Sequence, residues 1–508
     1  MSCTAARQKE AMINTNEKPP RPGVVSSVPD VLRTEVAVIG SGPGGAITAA
    51  LFAEAGRDVL LLEEGPYLEL DSCQPFSREE MVQKYRNGGI TVAIGKPKIA
   101  YVEGCCVGGG SEINSGLYHR TPSAILEEWR RSFQVEAMTE EDLRPMFEAS
   151  ERDVSVSPLP GPAPAASLML HRGAVAMGWR SVEALRWYKY ESQAKGSSAC
   201  QGIRQSMTRT FIPRALTAGA RLLPVTRVLR LRKLDNRWHL TAVHNAPRRG
   251  LQRLCIEASS VFVACGAIQT PTLLRRSGIC QFVGDSLGFH PTVKVIARFP
   301  HEVNTPNMGV PVHQTHEFEP RFTFGCSISS APFLALAMAD HPLHLTDVQR
   351  DWRRMAIYYA AIRGGSGTVR PVPFSRDPLV RYQLRTEDMR ELAEALAKLS
   401  ESLLAAGAEV LYPTIAGVLP LTQLADIDRL PRVLPVDRAN LMTVHLFGSC
   451  PMGENRKRCP VDSFGKVRSV DGLYVADGSL LCGPPGVNPQ GSIMAIARRN
   501  ALKFLGKL

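Results

Sequence analysis

The feature that most constrains this chain is a turn of small residues, Gly40-Ser41-Gly42-Pro43-Gly44-Gly45, between a β-branched run and an Ala-rich one. Thr34 to Ile39 reads as a buried parallel strand, because strands covered on both faces are almost continuously apolar. Ala46 to Ala55 favours a helix that Gly56 stops, and a second apolar run, Asp58 to Leu62, ends on Glu63. Strand, turn, helix and strand thus fall within about 30 residues, the size of a βαβ unit. Gly40, Gly42 and Gly45 fit GxGxxG. The first glycine permits the tight turn, the second lets a pyrophosphate approach the backbone, and the third lets the helix lie on the strand. The helix N-terminus adds unpaired N–H groups and the positive end of its dipole. Glu63, 18 residues beyond Gly45, stands where an acid can accept hydrogen bonds from ribose hydroxyls. The unit predicts a dinucleotide site; a glycine-rich surface turn followed by a solvated Glu is the plain alternative.

Further strands are read at Leu222–Leu231, at Ser260–Ala264 and at Gly472–Asp477, with a last helix over Ser492–Phe504. Strands near both ends therefore belong to one nucleotide domain interrupted by other material. From about 295 to 385, apolar and polar residues alternate, as antiparallel strands with one solvated face do. Thr386 to Ala406 is one amphipathic helix closed by Gly407, and the Pro-rich run Ser157–Ala166 reads as a linker. The predicted fold is α/β, and α+β overall. A Rossmann-like domain takes 35–155, 205–290 and 440–508, and a substrate domain on an antiparallel sheet takes 156–204 and 291–439. Residues 1–34 read as a polar, poorly ordered lead-in.

Sixty Lys and Arg against 48 Asp and Glu give a formal charge of +12, which would suit an anionic partner. Yet the longest basic cluster is Arg456-Lys457-Arg458, and no Arg–aromatic interleaving accompanies it. A basic solvated surface, not a nucleic-acid site, is the expectation. No apolar signal region is found near the start, and the most apolar stretch, Ala331–Ala339, falls far short of the roughly 18 residues a membrane span needs. Twelve cysteines without a secretion signal read as reduced thiols in a cytoplasmic protein, and none sits in a CxxC or HExxH-like set that would hold a metal.

Two more constellations carry chemistry. In Gly104-Cys105-Cys106-Val107-Gly108-Gly109-Gly110-Ser111-Glu112-Ile113-Asn114-Ser115-Gly116, three successive glycines let backbone lie against a planar ring or phosphate, although a hairpin would read the same way. Near the end come His445 to Gly453, then Asp477-Gly478-Ser479, then Gly486-Val487-Asn488-Pro489. A His can take a proton from an alcohol near neutral pH, and an Asn amide can orient a hydroxyl. On spacing alone, His445 reads more readily as a structural histidine than as a catalytic one. Cys450 has no neighbour that would lower its pKa and reads as a small core residue.

Four motifs in order resemble the glucose–methanol–choline oxidoreductases, most closely their cholesterol-oxidase and long-chain-alcohol branches. They are VAVIGSGPGG with LLLEEGP, the GCCVGGGSEINSG loop, Gly266–Ile279 with the following Val283–Pro291, and the His445–Asn488 block. The resemblance implies FAD held by Gly40, Gly42, Gly45 and Glu63. It places Gly108, Gly109, Ser111 and Asn114 along the flavin, Val228 at the adenine, and Asp477, Gly478, Asn488 and Pro489 at the ribityl chain and ring. His445 and Asn488 stand at the two catalytic positions. Some members tether FAD through a His just before the loop Asn; here that residue is Ile113, so non-covalent FAD is implied. Phe289 replaces a usual Asp, and Cys280 a usual Gly.

The implied activity is oxidation of an alcohol by hydride transfer to flavin N5, with His445 receiving or sharing the O–H proton. A bulky or long apolar alcohol is the expected substrate, and oxygen, a quinone or a redox protein the acceptor. A hydroxyl of a sugar or natural product is the alternative substrate. Hydroxynitrile lyases share this fold and keep FAD without redox turnover, so a lyase stays open.

Overall fold

Val31–Ile39 forms the central strand of the first sheet, and its last four residues are buried. The computed structural model describes residues 21–25, 29–70, 72–190, 202–246 and 250–508. Of the lead-in expected over 1–34, residues 1–20 and 26–28 lie outside that description. Its final part is corrected: the strand begins at Val31, and Val24 bridges Leu222.

Val31–Ile39 pairs in parallel with Val59–Leu62 on one side and with Gly250–Val263 on the other. Arg221–Leu223 extends the sheet in parallel beyond Val59–Leu62. The far edge of Gly250–Val263 is shared. Its first part pairs antiparallel with Arg237–Ala246, which pairs in turn with Thr226–Leu234. Its last three residues pair in parallel with Leu473–Val475. The single strand expected over Leu222–Leu231 is therefore two. Pro224 has no N–H for a ladder, and Val225 sits at φ +48°, so the chain turns there.

Helix Pro43–Glu54 packs against the last helix, Gln490–Phe504, and against Phe211–Thr217. An aromatic cluster fixes this arrangement: Phe52 lies 5.0 Å from Phe504, and Phe262 stacks on Tyr474 at 4.6 Å. Offset and edge contacts of this kind add about 0.5–1.5 kcal/mol beyond area burial.

The second sheet has nine strands. In spatial order they are Thr91–Ala93, Ile99–Tyr101, Leu441–Thr443, Thr292–Arg298, Met355–Ile362, Phe322–Cys326, His313–Thr315 and Ser181–Glu183, with Val410–Pro413 also on Thr292–Arg298. Neighbours are antiparallel except Leu441–Thr443 with Ile99–Tyr101. Three strands from spans expected in the nucleotide domain, at 91–93, 99–101 and 441–443, thus join this sheet instead. Helix Thr386–Ala405 covers one face, burying Val293 and Val295 against Leu392, Leu396 and Leu399. The other face was expected to meet solvent. Its residues Thr292, Lys294, Tyr359 and Ala361 instead roof a cavity.

Candidate active site

The cavity, of about 690 Å³, lies between the glycine turn and the underside of the second sheet. At the turn, Gly40 has φ +102°, and a Cβ there would lie 2.2 Å from Ala264 O. A Cβ on Gly45 would meet Gly40 O at 1.9 Å, and one on Gly44 would meet Ala476 O at 1.7 Å. Gly42 faces open space, as backbone must where a pyrophosphate lies. Helix Pro43–Glu54 starts without a side-chain cap, which leaves its first-turn N–H groups to a ligand.

Glu63 lines the cavity, but its carboxylate first braces the turn. It accepts from Ser41 N at 3.0 Å, Ser41 Oγ at 2.6 Å and Gly65 N at 2.9 Å. Burial raises its pKa against those donors, and its remaining lone pairs are what a ribose could use. The second glycine cluster packs backbone to backbone on the first. Gly108 N donates to Ser41 Oγ at 3.0 Å, and a Cβ on Gly109 would lie 2.9 Å from Gly42 Cα. Ser111 donates to Gly108 O and accepts from Met207 N. Gly45, Gly108 and Ser111, expected to bind the cofactor, lie outside the cavity lining and shape the loops that do line it. Asn114 does line it; its Nδ2 donates to Gln490 Oε1 at 2.6 Å, joining this loop to the last helix.

Val228 lines the cavity beside Thr226 and Arg227. Next to them Glu64 sits 2.9 Å from Arg86, 2.6 Å from Arg376 and 3.5 Å from Arg227. Burial alone would raise its pKa, but those guanidiniums hold the carboxyl down at about 2. Asp477 accepts from Gly266 N, Ser479 N and the hydroxyls of Thr270 and Ser479, tying its own turn to the start of the helix Gly266–Arg276. Gly478 and Pro489 line the cavity alongside it.

His445 and Asn488 meet in the same cavity, with His445 Nε2 3.2 Å from Asn488 Nδ2. Behind them stands His290, which spacing did not single out although it lies in the Gly288-Phe289-His290-Pro291 run. Its Nε2 accepts the backbone N–H of Gly486 at 3.1 Å, and its Nδ1 lies 2.9 Å from His445 Nδ1. Burial holds His290 neutral, well below its ordinary pKa. Burial lowers His445 to about 4 as well, so both rings are neutral, and a neutral imidazole can take a proton. His445 thus stands beside Asn488 in the cavity, where it can receive or share the O–H proton of a substrate alcohol.

From Asn488 the contacts continue outward. Gln314 Nε2 lies 3.3 Å from Asn488 Oδ1, His316 Nε2 lies 3.1 Å from Gln314 Oε1, and His316 Nδ1 pairs with Glu319 at 2.6 Å. Phe289 replaces the usual acid because its site is apolar: it is buried and stacks on Tyr382 at 4.2 Å. Cys450 is fully buried, and burial pushes its thiol far up, so it is no nucleophile. Among the described residues no cluster of three or more His, Cys, Asp or Glu could hold a metal, and no helix is long and apolar enough to cross a membrane.

A parallel sheet with a glycine turn, opening on a cavity roofed by a second sheet, is the architecture of a flavoprotein oxidoreductase. The chain matches the GMC oxidoreductase family over residues 81–292 and 367–497. An uncharacterized GMC-type oxidoreductase of Sinorhizobium fredii, y4nJ, is 39% identical, over 92% of this chain and 94% of that one. Long-chain-alcohol oxidase FAO4A of Arabidopsis thaliana is 25% identical over 92% of this chain and 68% of its own. The crystal structure of pyridoxine 4-oxidase from Mesorbium loti superposes with a TM-score of 0.69 at 17% identity, covering 93% of this chain and 99% of that one. This chain belongs to the GMC oxidoreductases, FAD-dependent enzymes acting on alcohol-type donors. The residues fit FAD: Gly42 and Gly110 leave open space along the path, and the uncapped helix points into it.

Proposed function

We propose that this enzyme oxidises an alcohol to an aldehyde or ketone, with His445 and Asn488 holding the reacting hydroxyl. The observation that carries this reading is their 3.2 Å contact in the cavity onto which the glycine turn opens. Asn488 sets the direction of the hydroxyl, and as hydride leaves the carbinol carbon the O–H proton passes to the neutral His445 imidazole, whose other nitrogen His290 contacts. FAD, when bound, supplies the hydride acceptor at N5. Ile113 at the tethering position supports non-covalent FAD; flavin released into the supernatant on denaturation checks this. A long or bulky apolar alcohol fits the wall formed by Ile328, Phe333, Leu336 and Ile357 and agrees with the long-chain-alcohol oxidase relative. A cytoplasmic location agrees with the ten described cysteines, all of them free.

The test is anaerobic mixing of purified holoenzyme with a panel of alcohols, followed by absorbance at about 450 nm. Bleaching is expected; flavin that stays oxidised with every alcohol would favour the lyase reading. Admitting air then times re-oxidation and separates oxygen from a quinone or redox protein as acceptor.

A further inference from the structure

The cavity roof carries a cation with nothing to neutralise it. Lys294 lies on the central strand Thr292–Arg298 of the second sheet and faces the cavity with Thr292. Among the described residues, its ammonium makes no ion pair, and burial alone acts on it, lowering its pKa to about 8. Every carboxylate that lines the cavity is already engaged. Glu63 braces the turn, Glu64 and Glu103 pair with Arg86, and Asp477 caps its own turn. The side chain is half-buried, so its ammonium loses part of its hydration on the cavity wall, a cost that an apolar side chain of the same length would not carry.

We propose that Lys294 receives an anionic group of the substrate, so the alcohol oxidised here carries a carboxylate, phosphate or sulfate on the order of 10 Å from its hydroxyl. His290, which touches His445, stands four residues before Lys294 and two before the strand begins, so the two lie within about 13 Å along the chain. Between the two ends the cavity shows the short side chains of Thr292 and Ala361, with Tyr359 level with Lys294 and Ile357 just beyond it. Beyond Lys294 the short helix Ala331–Ala337 presents Phe333 and Leu336. This deepens the alcohol-oxidation reading and rests on it.

The experiment uses holoenzyme, anaerobic flavin bleaching, and three graded series of matched length: hydroxyalkanoates, hydroxyalkyl phosphates and plain alkanols. At the fitting length, one anionic series should half-saturate at least about tenfold below the alkanol, as a charge-assisted bond in a desolvated site provides. Which series does so separates carboxylate from phosphate. Lys294→Met should erase that advantage while leaving the alkanol and the flavin content unchanged, and Lys294→Arg should keep most of it. Equal half-saturation of anionic and plain alcohols in the wild type overturns the proposal. So does a parallel loss of both in Lys294→Met, and so does lost flavin, which would assign the lysine to the cofactor. If no alcohol bleaches the flavin, the oxidation reading itself fails. Melting temperature in dicarboxylates of graded length still reads the site: a rise in the wild type that Lys294→Met lacks supports anion binding, and no rise overturns it.

Discussion

Two glycines of one turn, Gly42 and Gly44, do different physical jobs, and substitution separates them. A Cβ on Gly42 meets nothing within 4 Å in the protein. Gly42→Ala should therefore fold with an unchanged apo melting temperature yet purify with little flavin. A Cβ on Gly44 would sit 1.7 Å from Ala476 O, so Gly44→Ala must force helix from sheet and lower the melting temperature itself. Equal behaviour of the two would contradict this division. At the other end of the cavity, His445→Ala should slow flavin reduction by about 10²-fold or more, the usual loss for one acid–base group at a reacting oxygen. His290→Phe should leave flavin content intact but change the pH profile of reduction, because one nitrogen of His445 then loses its partner. An unchanged profile would remove His290 from that role. The motifs made His445 and Asn488 legible as a pair; His290 was present in the text, but nothing in its spacing says that it touches residue 445.

At the scale of elements, most of the nucleotide sheet was legible, because parallel strands buried on both faces leave continuous apolar runs such as Val59–Leu62. The second sheet was harder. Thr91–Ala93, Ile99–Tyr101 and Leu441–Thr443 are three residues long, and the pairing that ties the first two to the sheet, Ile99–Tyr101 with Leu441–Thr443, spans more than three hundred positions, so local periodicity carries no trace of membership. The same holds for the face with Lys294, where alternation suggested solvent and the fold supplied a cavity. Phe289 is the sharpest local departure. The family's usual acid would be buried against Tyr382, whose hydroxyl accepts Phe289 N–H at 3.1 Å. Phe289→Asp should therefore destabilise by about 3 kcal/mol or more, while Phe289→Leu should cost less; urea unfolding measures both. A neutral Phe289→Asp would mean that the strand end relaxes into solvent.

For the whole molecule, one buried histidine, His290, and two half-buried ones, His119 and His445, couple folding to pH. Burial lowers His119 to about 3 and His445 to about 4, and holds His290 well below its ordinary value. Unfolded, each would titrate near 6.5. Between roughly pH 6.5 and 4 the unfolded chain thus binds more protons, so their contribution is complete above that window and is lost as pH falls through it. Melting temperature should fall across this range, and His119→Phe should flatten the slope; an unaltered slope would show that His119 is already charged in the native state. The sheet order carries a consequence in time. The first strand finds the second of its two parallel neighbours more than two hundred residues later, and the first helix leans on the last one. A chain emerging from the ribosome holds its glycine turn early but lacks the wall that closes it until the final helix is made. Flavin capture is therefore an event of the finished chain, and what waits for it during synthesis is an exposed, unpaired sheet.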